Sequence, residues 1–455
     1  MGTRRSYALL LGRVSVALVA SSCGARTGLL LFDDAPPACA TPAQSLVPAC
    51  DGQSTTLDGT VYDPAGHNPL YNVVVYVPGS APAPLPSGAT CDSCSDLYTG
   101  SPIATTLTDA AGHFVLNDVP SGNDVPLVLQ IGKWRRQLRI PTVVACQQNP
   151  LTDGSLTLPK NQSEGDIPAI AISTGGSDTL ECLFRRIGVD ASEYTGDPLG
   201  AGRIHVFQGT GKIGGESAPN TADPAPSSAS ALWDSVADLE RYDMVFLSCE
   251  GQETSNMNQQ ALFDYAASGG RVFASHFHYA WFDSGPFGIW NLATWLPGMG
   301  NIGDIDTVVT TTLPNGAPFA KGNALAQWLG TVGSLLPNGE LAVEQARDNA
   351  DLSPANTASQ SWLVADADAS APGASQAFSF NTPLDAPTPS QCGQVVYTAM
   401  HVGAASNDDP GLPVPDECAT GDLSPQETAL EFLVFNLSSC VTPADQMPRA
   451  PPSCR

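Results

Sequence analysis

The alternation of apolar and polar positions changes character near residue 54 and again near residue 165. Between residues 54 and 160, short runs of period two, such as 57–62 and 73–77, are separated by turn residues, a spacing typical of a β-sandwich. Between residues 165 and 442, short apolar runs alternate with segments of helical spacing. This predicts an α/β fold, in which the N-terminal β-sandwich is followed by a mostly parallel sheet with helices on both faces.

The same runs predict the individual elements of the second region. The last predicted helix begins at Ser424, where Pro425 occupies the first turn and Glu427 completes a capping box. The other predicted helices are 178–187, 229–239 and 256–268. The predicted strands are 167–172, 203–207, 242–248, 271–275, 307–312, 341–346, 362–365, 376–380 and 394–400.

The N-terminal residues are typical of an export signal. The chain has 455 residues, more than the roughly 250–300 over which a single core grows, so two domains are expected. Residues 1–22 combine a positive start with an apolar stretch, and the small residues before Cys23 resemble a bacterial lipobox. The resemblance implies a lipoprotein of the cell envelope, anchored to the membrane through Cys23; plain secretion is the alternative. Residues 23–53 then form a tether rich in proline and alanine, and residues 443–455 a C-terminal tail.

The charge of the chain argues against one class of partner, and its cysteine content predicts disulfides. The formal net charge is −26, which repels phosphate backbones, so nucleic acid is not expected as a partner. The chain has 12 cysteines, and in an exported protein these predict disulfides. With Cys23 set aside the number is odd, and Cys249, which ends a buried apolar run, is the predicted free thiol.

Polar residues collect where the predicted parallel strands end. Because the carboxyl ends of such strands share one edge of the sheet, these residues are candidates for a ligand site. They are Thr174, Gly175, Glu250, Ser275, His276, His278 and His401. His276, His278 and His401 could together hold a divalent metal and leave a position for water. The alternative is that each histidine bonds to backbone at the edge of a pocket.

Aromatic residues are concentrated directly after the fourth of these strands. Tyr279 and Trp281 are the candidates for contact with a ligand, because their rings could stack on sugar rings. The alternative is ordinary hydrophobic packing. The whole group comprises Tyr279, Trp281, Phe282, Phe287, Trp290 and Trp295.

Two resemblances to known families refine these expectations. Residues 54–160, with Gly59-Thr60-Val61, the Asp63 to Gly66 turn, 108–114 and Pro120-Ser121-Gly122, resemble the carboxypeptidase regulatory-like domains. That resemblance implies a prealbumin-like sandwich that serves as a spacer or adhesion module. Residues 165–442 resemble the class I glutamine amidotransferase-like fold in its trehalose-utilisation (ThuA-like) branch, through the motifs at 269–276 and 393–401. This second resemblance implies a flavodoxin-like sheet.

The motifs at 269–276 and 393–401 lack residues that a working glutaminase of this family needs. His276 occupies the place of the family's nucleophilic cysteine, and His401 is followed by Val402 and Gly403 instead of a His-x-Glu pair. Cys249 has no base beside it in sequence, and a thiol needs one to attack an amide. Glutamine hydrolysis is therefore not expected.

These observations predict a cell-envelope lipoprotein whose amidotransferase-like domain binds a surface ligand, with carbohydrate as the candidate. A metal-assisted hydrolase or carbohydrate-modifying enzyme that uses His276, His278 and His401 is the first alternative. A structural adhesion scaffold is the second.

Overall fold

The structure is a computed structural model that covers the compact unit Pro37–Arg455 in most of its length. The residues it describes are 2, 47–91, 94–209, 212–213, 216–217, 225–298, 300–402, 414–416, 418–419 and 421–454. The predicted signal segment, Cys23 and most of the predicted tether lie outside the described residues. None of the described helices has the length and hydropathy that a membrane span requires.

The N-terminal half of the unit is built from strands. They are β1 (Thr56–Tyr62), β2 (Val74–Pro78), β3 (Pro102–Leu107), β4 (His113–Leu116), β5 (Gly122–Ile131), β6 (Trp134–Val143), β7 (Gln148–Pro150), β8 (Leu156–Thr157) and β9 (Gly165–Asp166). One sheet has the order β4-β1-β7, with β8 also paired to β1, and the other has the order β3-β2-β5-β6-β9. Along β4, Phe114 and Leu116 are buried whereas His113 and Val115 are exposed, which is the expected period of two.

The second half contains one large mixed sheet. The strands of this half are β10 (Ile170–Ser173), β11 (Tyr194–Thr195), β12 (Ile204–Phe207), β13 (Lys212–Ile213), β14 (Glu216–Ser217), β15 (Met244–Leu247), β16 (Arg271–Ser275), β17 (Thr294–Trp295), β18 (Asn301–Val309), β19 (Leu341–Arg347), β20 (Ala350–Asp351), β21 (Ser359–Ala365), β22 (Ser375–Thr382) and β23 (Gly393–Thr398). The large sheet has the order β11-β12-β10-β15-β16-β23-β22-β21-β18-β19. Two further pairs, β13 with β14 and β17 with β20, lie outside it.

The sheet is parallel in one half and antiparallel in the other. Pairings from β11 to β23 are parallel, and those from β23 to β19 are antiparallel. The expectation of a mostly parallel sheet thus holds for the first half alone. Short loops join β21 to β22 and β22 to β23, and such loops cannot make the long crossover that parallel neighbours need.

Helices are few and short in the described part of the chain. They are α1 (Cys94–Leu97), α2 (Leu180–Arg186), α3 (Ser230–Trp233), α4 (Val236–Leu239), α5 (Gln259–Ala267), α6 (Gly285–Gly288), α7 (Ala320–Thr331) and α8 (Pro425–Ser438). The helix predicted at 229–239 is divided into α3 and α4, because Ser235 leaves the helical conformation and caps α4 by accepting from the Asp238 amide. The sequence did not predict α7.

Helix α8 joins the two halves. It begins with the predicted capping box, in which the Ser424 side chain accepts from the Glu427 amide and Glu427 accepts from the Ser424 amide. The helix is buried on all sides. On one side it packs against β16, β19 and β23. On the other, Phe432 stacks on Tyr71 at 5.8 Å and Phe435 meets Trp134 edge-on at 5.8 Å. One hydrophobic core therefore runs through both halves.

Disulfides connect distant parts of the chain, as the cysteine content predicts. Cys50 is bonded to Cys146, Cys91 to Cys392, and Cys182 to Cys418. Cys249 is a free, buried thiol, as expected. Such bonds fit an exported protein in an oxidising compartment.

Candidate metal centre

Three side chains from distant parts of the sequence meet at one edge of the large sheet. Strands β15, β16 and β23 are parallel neighbours, so their carboxyl ends lie side by side. Cys249 follows β15, His276 follows β16, and His401 follows β23. The register, with Leu247 opposite Ala274 and Ser275 opposite Thr398, brings the three residues to the same level.

The three side chains are close enough to share one ion. One ligating atom each from Cys249, His276 and His401 lies within 4.8 Å of the other two. The Cys249 sulfur is 3.2 Å from Nδ1 of His276, and the two imidazole rings are 4.9 Å apart between centroids. All three residues are buried, with at most 4% of their surface exposed. Within the described chain, Nε2 of each histidine has no hydrogen-bond partner, and buried polar atoms are rarely left so.

The backbone aims the His276 ring at Cys249. At His276 the chain leaves β16 with a φ of 44°, a left-handed conformation that costs a non-glycine residue roughly 1–3 kcal/mol. The Tyr397 hydroxyl holds this turn by donating to the His276 carbonyl at 3.0 Å. The Cys249 amide donates to the Ser275 hydroxyl at 2.9 Å, which ties the ends of the two strands together.

Burial sets the protonation of these groups. Desolvation, reinforced by His401 and Arg347, lowers the pKa of His276 to about 2. Desolvation likewise lowers the pKa of His401 to about 3 and raises the pKa of the Cys249 thiol to about 12. The contact between sulfur and imidazole thus joins a neutral thiol to a neutral ring, which is not the charged pair of a cysteine nucleophile. A neutral imidazole is the form that binds a metal.

His278 does not join the other two histidines. The sequence predicts a metal site of His276, His278 and His401 if the chain stays extended after the strand, because His276 and His278 would then lie on the same side. The strand instead ends at Ser275 and continues as a 3₁₀ turn, His276–Trp281, which rotates His278 away. Nδ1 of His278 contacts the Ser275 carbonyl at 3.1 Å, and the residue is fully buried. Cys249 takes the third place in the cluster.

The place of Cys249 in the cluster has a signal in the sequence, the buried strand that precedes it. No base lies beside Cys249 in the sequence, but in the fold His276 approaches it from the neighbouring strand. Cys249 follows a buried strand just as His276 does, and parallel neighbours align such positions.

The other candidate ligand residues lie next to this cluster. Thr174 and Glu250 are fully buried, and the Thr174 hydroxyl accepts from the Gly209 amide at 3.2 Å. A Cβ on Gly175 would lie 2.3 Å from the Cys249 carbonyl oxygen, so only glycine allows this approach of the two loops. These residues pack the backbone that carries Cys249.

The aromatic candidates are packed into the core. Trp281 is fully buried, meets Trp233 edge-on at 5.1 Å and donates through its indole to Thr254 at 3.4 Å. Tyr279 is also fully buried and donates to Glu253 at 2.5 Å. Neither ring offers a free face for a sugar, so the structure favours the packing alternative for these two residues.

Comparisons with known proteins give weak likenesses. No protein-family model matches the chain, and no curated protein matches it. A ThuA-like protein from Bacteroides uniformis is 10% identical with a TM-score of 0.28, over 52% of this chain and 83% of its own. The exo-β-1,4-mannosidase Op5Man5 from Opitutaceae bacterium strain TAV5 is 10% identical with a TM-score of 0.27, over 61% and 38%. A cohesin–X-dockerin complex from Acetivibrio cellulolyticus gives 13% identity and a TM-score of 0.17, over 30% and 85%.

Proposed function

We propose that this chain is an exported metalloenzyme in which Cys249, His276 and His401 hold one zinc ion that activates water for hydrolysis. The observation that carries the proposal is the convergence of three ligating atoms within 4.8 Å of one another. The carboxyl edge of a parallel sheet is also where such folds bind ligands.

The donor atoms select the metal. One thiolate and two imidazoles suit zinc, whereas magnesium and calcium require oxygen ligands. Bonds of about 2.0–2.3 Å in a tetrahedron place ligand atoms roughly 3.3–3.8 Å apart. Cys249 and His276 are already near that spacing, at 3.2 Å. The upper limit of 4.8 Å on the spacings within the cluster exceeds that range by about 1 Å.

The number of ligands supports a catalytic ion. Three protein ligands with a fourth position for water are typical of catalytic zinc sites, whereas structural sites use four. In the chain outside the gaps of the structure, three such side chains converge here. Zinc lowers the pKa of its bound water to about 7, which supplies hydroxide at neutral pH.

Metal analysis of untagged protein tests the proposal. We expect near-stoichiometric zinc in the wild type and in His113→Ala, a control at an exposed histidine of β4. We expect loss of zinc in His401→Ala, together with loss of activity on a panel of chromogenic ester and glycoside substrates. Wild-type protein without zinc would refute the metal centre. Bound zinc without hydrolysis on any substrate would refute the enzyme and leave the adhesion-scaffold alternative.

The fold proposal is a flavodoxin-like, amidotransferase-like arrangement. Without the two-residue edge strand β11, the parallel strands β12, β10, β15, β16 and β23, numbered along the chain, have the order 2-1-3-4-5, which is the flavodoxin-like order. His276 stands at the turn after the fourth of them with a positive φ. The two sheets of β1–β9 are the proposed prealbumin-like sandwich, since they share a core.

Recognition of a surface carbohydrate is a second candidate function. Trp290 is half-buried beside Ile289, which is 79% exposed, so the aromatic group reaches the surface there. If this surface binds sugars, Trp290→Ala should lose signal on a glycan array, and Trp281→Ala, a core variant, should lose stability instead. Equal binding by wild type and Trp290→Ala would contradict the idea.

Membrane attachment through Cys23 remains part of the proposal. It is supported by the lipobox-like residues before Cys23 and fits the disulfides of an exported protein. Cys23→Ser should release the protein from membrane fractions. Retention of that variant in the membrane would contradict the anchor.

A further inference from the structure

A cavity of about 230 Å³ lies beside the antiparallel half of the large sheet. Its wall includes Asn381 near the end of β22 and Gln394 near the start of β23. Gln360 on β21 and Gln391 before β23 also line it. Since Gln394 lies at the amino end of β23 and His401 follows the carboxyl end, the cavity is separate from the metal centre.

We propose that this cavity binds one neutral sugar unit, a hexose ring held through its hydroxyl groups. Its volume is somewhat below the roughly 300–1,000 Å³ of sites for drug-sized ligands, which suits a single ring better than a chain of rings. The proposal gives the carbohydrate candidate a binding site of its own, and it depends neither on zinc nor on Trp290.

The described lining of the cavity is polar but carries almost no charge. Lys321 is the one charged residue among the described residues that line it, and only 3% of its surface is exposed. No carboxylate is among them, although the chain has 45 aspartate and glutamate residues. A charged ligand would therefore leave water without meeting an accessible opposite charge, which costs free energy.

The amide side chains of the lining have hydrogen-bonding atoms left for a ligand. The side-chain nitrogen of Gln394 donates to the Asn381 oxygen at 2.9 Å. That of Gln391 donates to the Pro383 carbonyl at 3.2 Å. In the described chain, these bonds leave the Gln391 and Gln394 oxygens as acceptors and the Asn381 nitrogen as a donor, and all three atoms stay accessible.

Sugar hydroxyls match this set of atoms. A hydroxyl both donates and accepts, so it can bond to an amide oxygen and to an amide nitrogen at once. An apolar ligand would take the same amide groups out of water without replacing their hydrogen bonds, which costs affinity. Ring stacking is not part of this recognition, because Trp362 and Phe380 in the lining are almost fully buried.

The amide groups are held in position before a ligand binds. Asn381 and Gln394 are directly opposite each other in the antiparallel pairing of β22 and β23, so their bond joins two neighbouring strands. Gln391 is followed by Cys392, whose disulfide to Cys91 anchors the chain there. A preformed site loses little affinity to ordering on binding.

Saturation-transfer NMR of the full chain with methyl glucoside, methyl mannoside and methyl galactoside tests the proposal. We expect saturable binding of at least one of them, and weaker binding of the uronic acid of the same sugar, whose carboxylate meets no accessible cation. Gln391→Ala should weaken binding about tenfold or more, the loss of one hydrogen bond to the ligand. Gln260→Ala, at an exposed glutamine outside the cavity, should leave binding unchanged.

Thr388→Trp places a large side chain at an exposed position of the cavity wall. It should abolish sugar binding while zinc content and a cooperative thermal transition are kept. Full binding by Thr388→Trp, tighter binding of the uronic acid, or no binding of any of the sugars would overturn the proposal.

Two further samples separate this site from the others. Wild-type protein treated with a chelator should still bind the sugar, so a failure of the metal centre would not affect the result. Trp290→Ala should bind the sugar as the wild type does. Loss of binding in Trp290→Ala, with binding kept in Thr388→Trp, would place the sugar at the Trp290 surface and overturn the cavity.

Discussion

The sulfur of Cys249 lies 3.2 Å from Nδ1 of His276, although 27 residues separate the two in the chain. The contact exists because β15 and β16 are parallel neighbours that end at the same level. It could indicate either a nucleophile with its base or two ligands of one ion. The third member of the cluster, His401, favours the ligand interpretation, since a nucleophile needs no second imidazole within 4.8 Å.

Removal of the metal should destabilise the protein. A ligand that binds the folded state at a hundred times its dissociation constant adds about 2.7 kcal/mol to the free energy of unfolding. Dialysis against a chelator should therefore lower the unfolding temperature by several degrees, and zinc should restore it. His401→Ala should unfold at one temperature with or without chelator. A wild type that is insensitive to both treatments would contradict the prediction.

Gly175→Ala should disturb the metal centre without touching a ligand. The added Cβ would lie 2.3 Å from the Cys249 carbonyl oxygen, so the backbone that carries Cys249 has to move. We expect a loss of about 1–3 kcal/mol of stability, typical of overpacking, together with weaker zinc affinity. Gly300→Ala, where a Cβ would meet no atom within 4 Å, is the matched control. Zinc affinity can be measured by competition with a chromogenic chelator, and equal affinities in the two variants would contradict the role of Gly175.

Local signals in the sequence predict much of the fold. Strand β16 has its predicted bounds, 271–275, because an apolar run ends at a polar residue on each side. The capping box at Ser424 fixes the start of α8. Helix α7 escaped prediction because no capping side chain marks its start, where Phe319 is the N-cap residue.

The sequence predicts those members of the site that directly follow a predicted strand, and no others. His276 and His401 follow predicted strands, and the parallel register brings them together. His278 lies outside the cluster because the chain leaves the extended conformation at His276, where φ is 44°. The third member of the cluster is Cys249 instead. No pattern of apolar residues encodes such a local turn.

The stability of the junction at α8 should depend on pH. Asp63, in the turn after β1, and Glu431, on α8, are buried carboxyls that interact with each other. Asn68 donates to Glu431 at 2.6 Å, and the His67 amide donates to Asp63 at 2.7 Å. Burial raises the pKa of Asp63 to about 6, and burial together with Asp63 raises the pKa of Glu431 well above its usual range. The His67 ring acts in the opposite direction on Asp63, and Arg186 and Asp422 line the same small cavity.

Because the folded state holds the proton of Asp63 more tightly than the unfolded state, this stabilisation is complete below about pH 4 and is lost as the pH rises through about 6. Asp63→Asn should remove the share of this dependence that comes from Asp63, about 3 kcal/mol at about 1.4 kcal/mol for each pH unit between the two values, whereas the share of Glu431 stays. Thermal unfolding between these pH values, with Asp109→Asn in the turn before β4 as the control, measures it. A wild type and an Asp63→Asn variant with parallel pH profiles would contradict the assignment.

The Cys91–Cys392 disulfide should add to the stability of the protein. It closes 301 residues of chain, and such crosslinks typically add about 2–4 kcal/mol to the free energy of unfolding. The double variant Cys91→Ser, Cys392→Ser should therefore unfold at a lower denaturant concentration than the wild type. It should keep its zinc, because neither cysteine is a member of the cluster of Cys249, His276 and His401. A denaturation midpoint equal to that of the wild type would contradict the prediction.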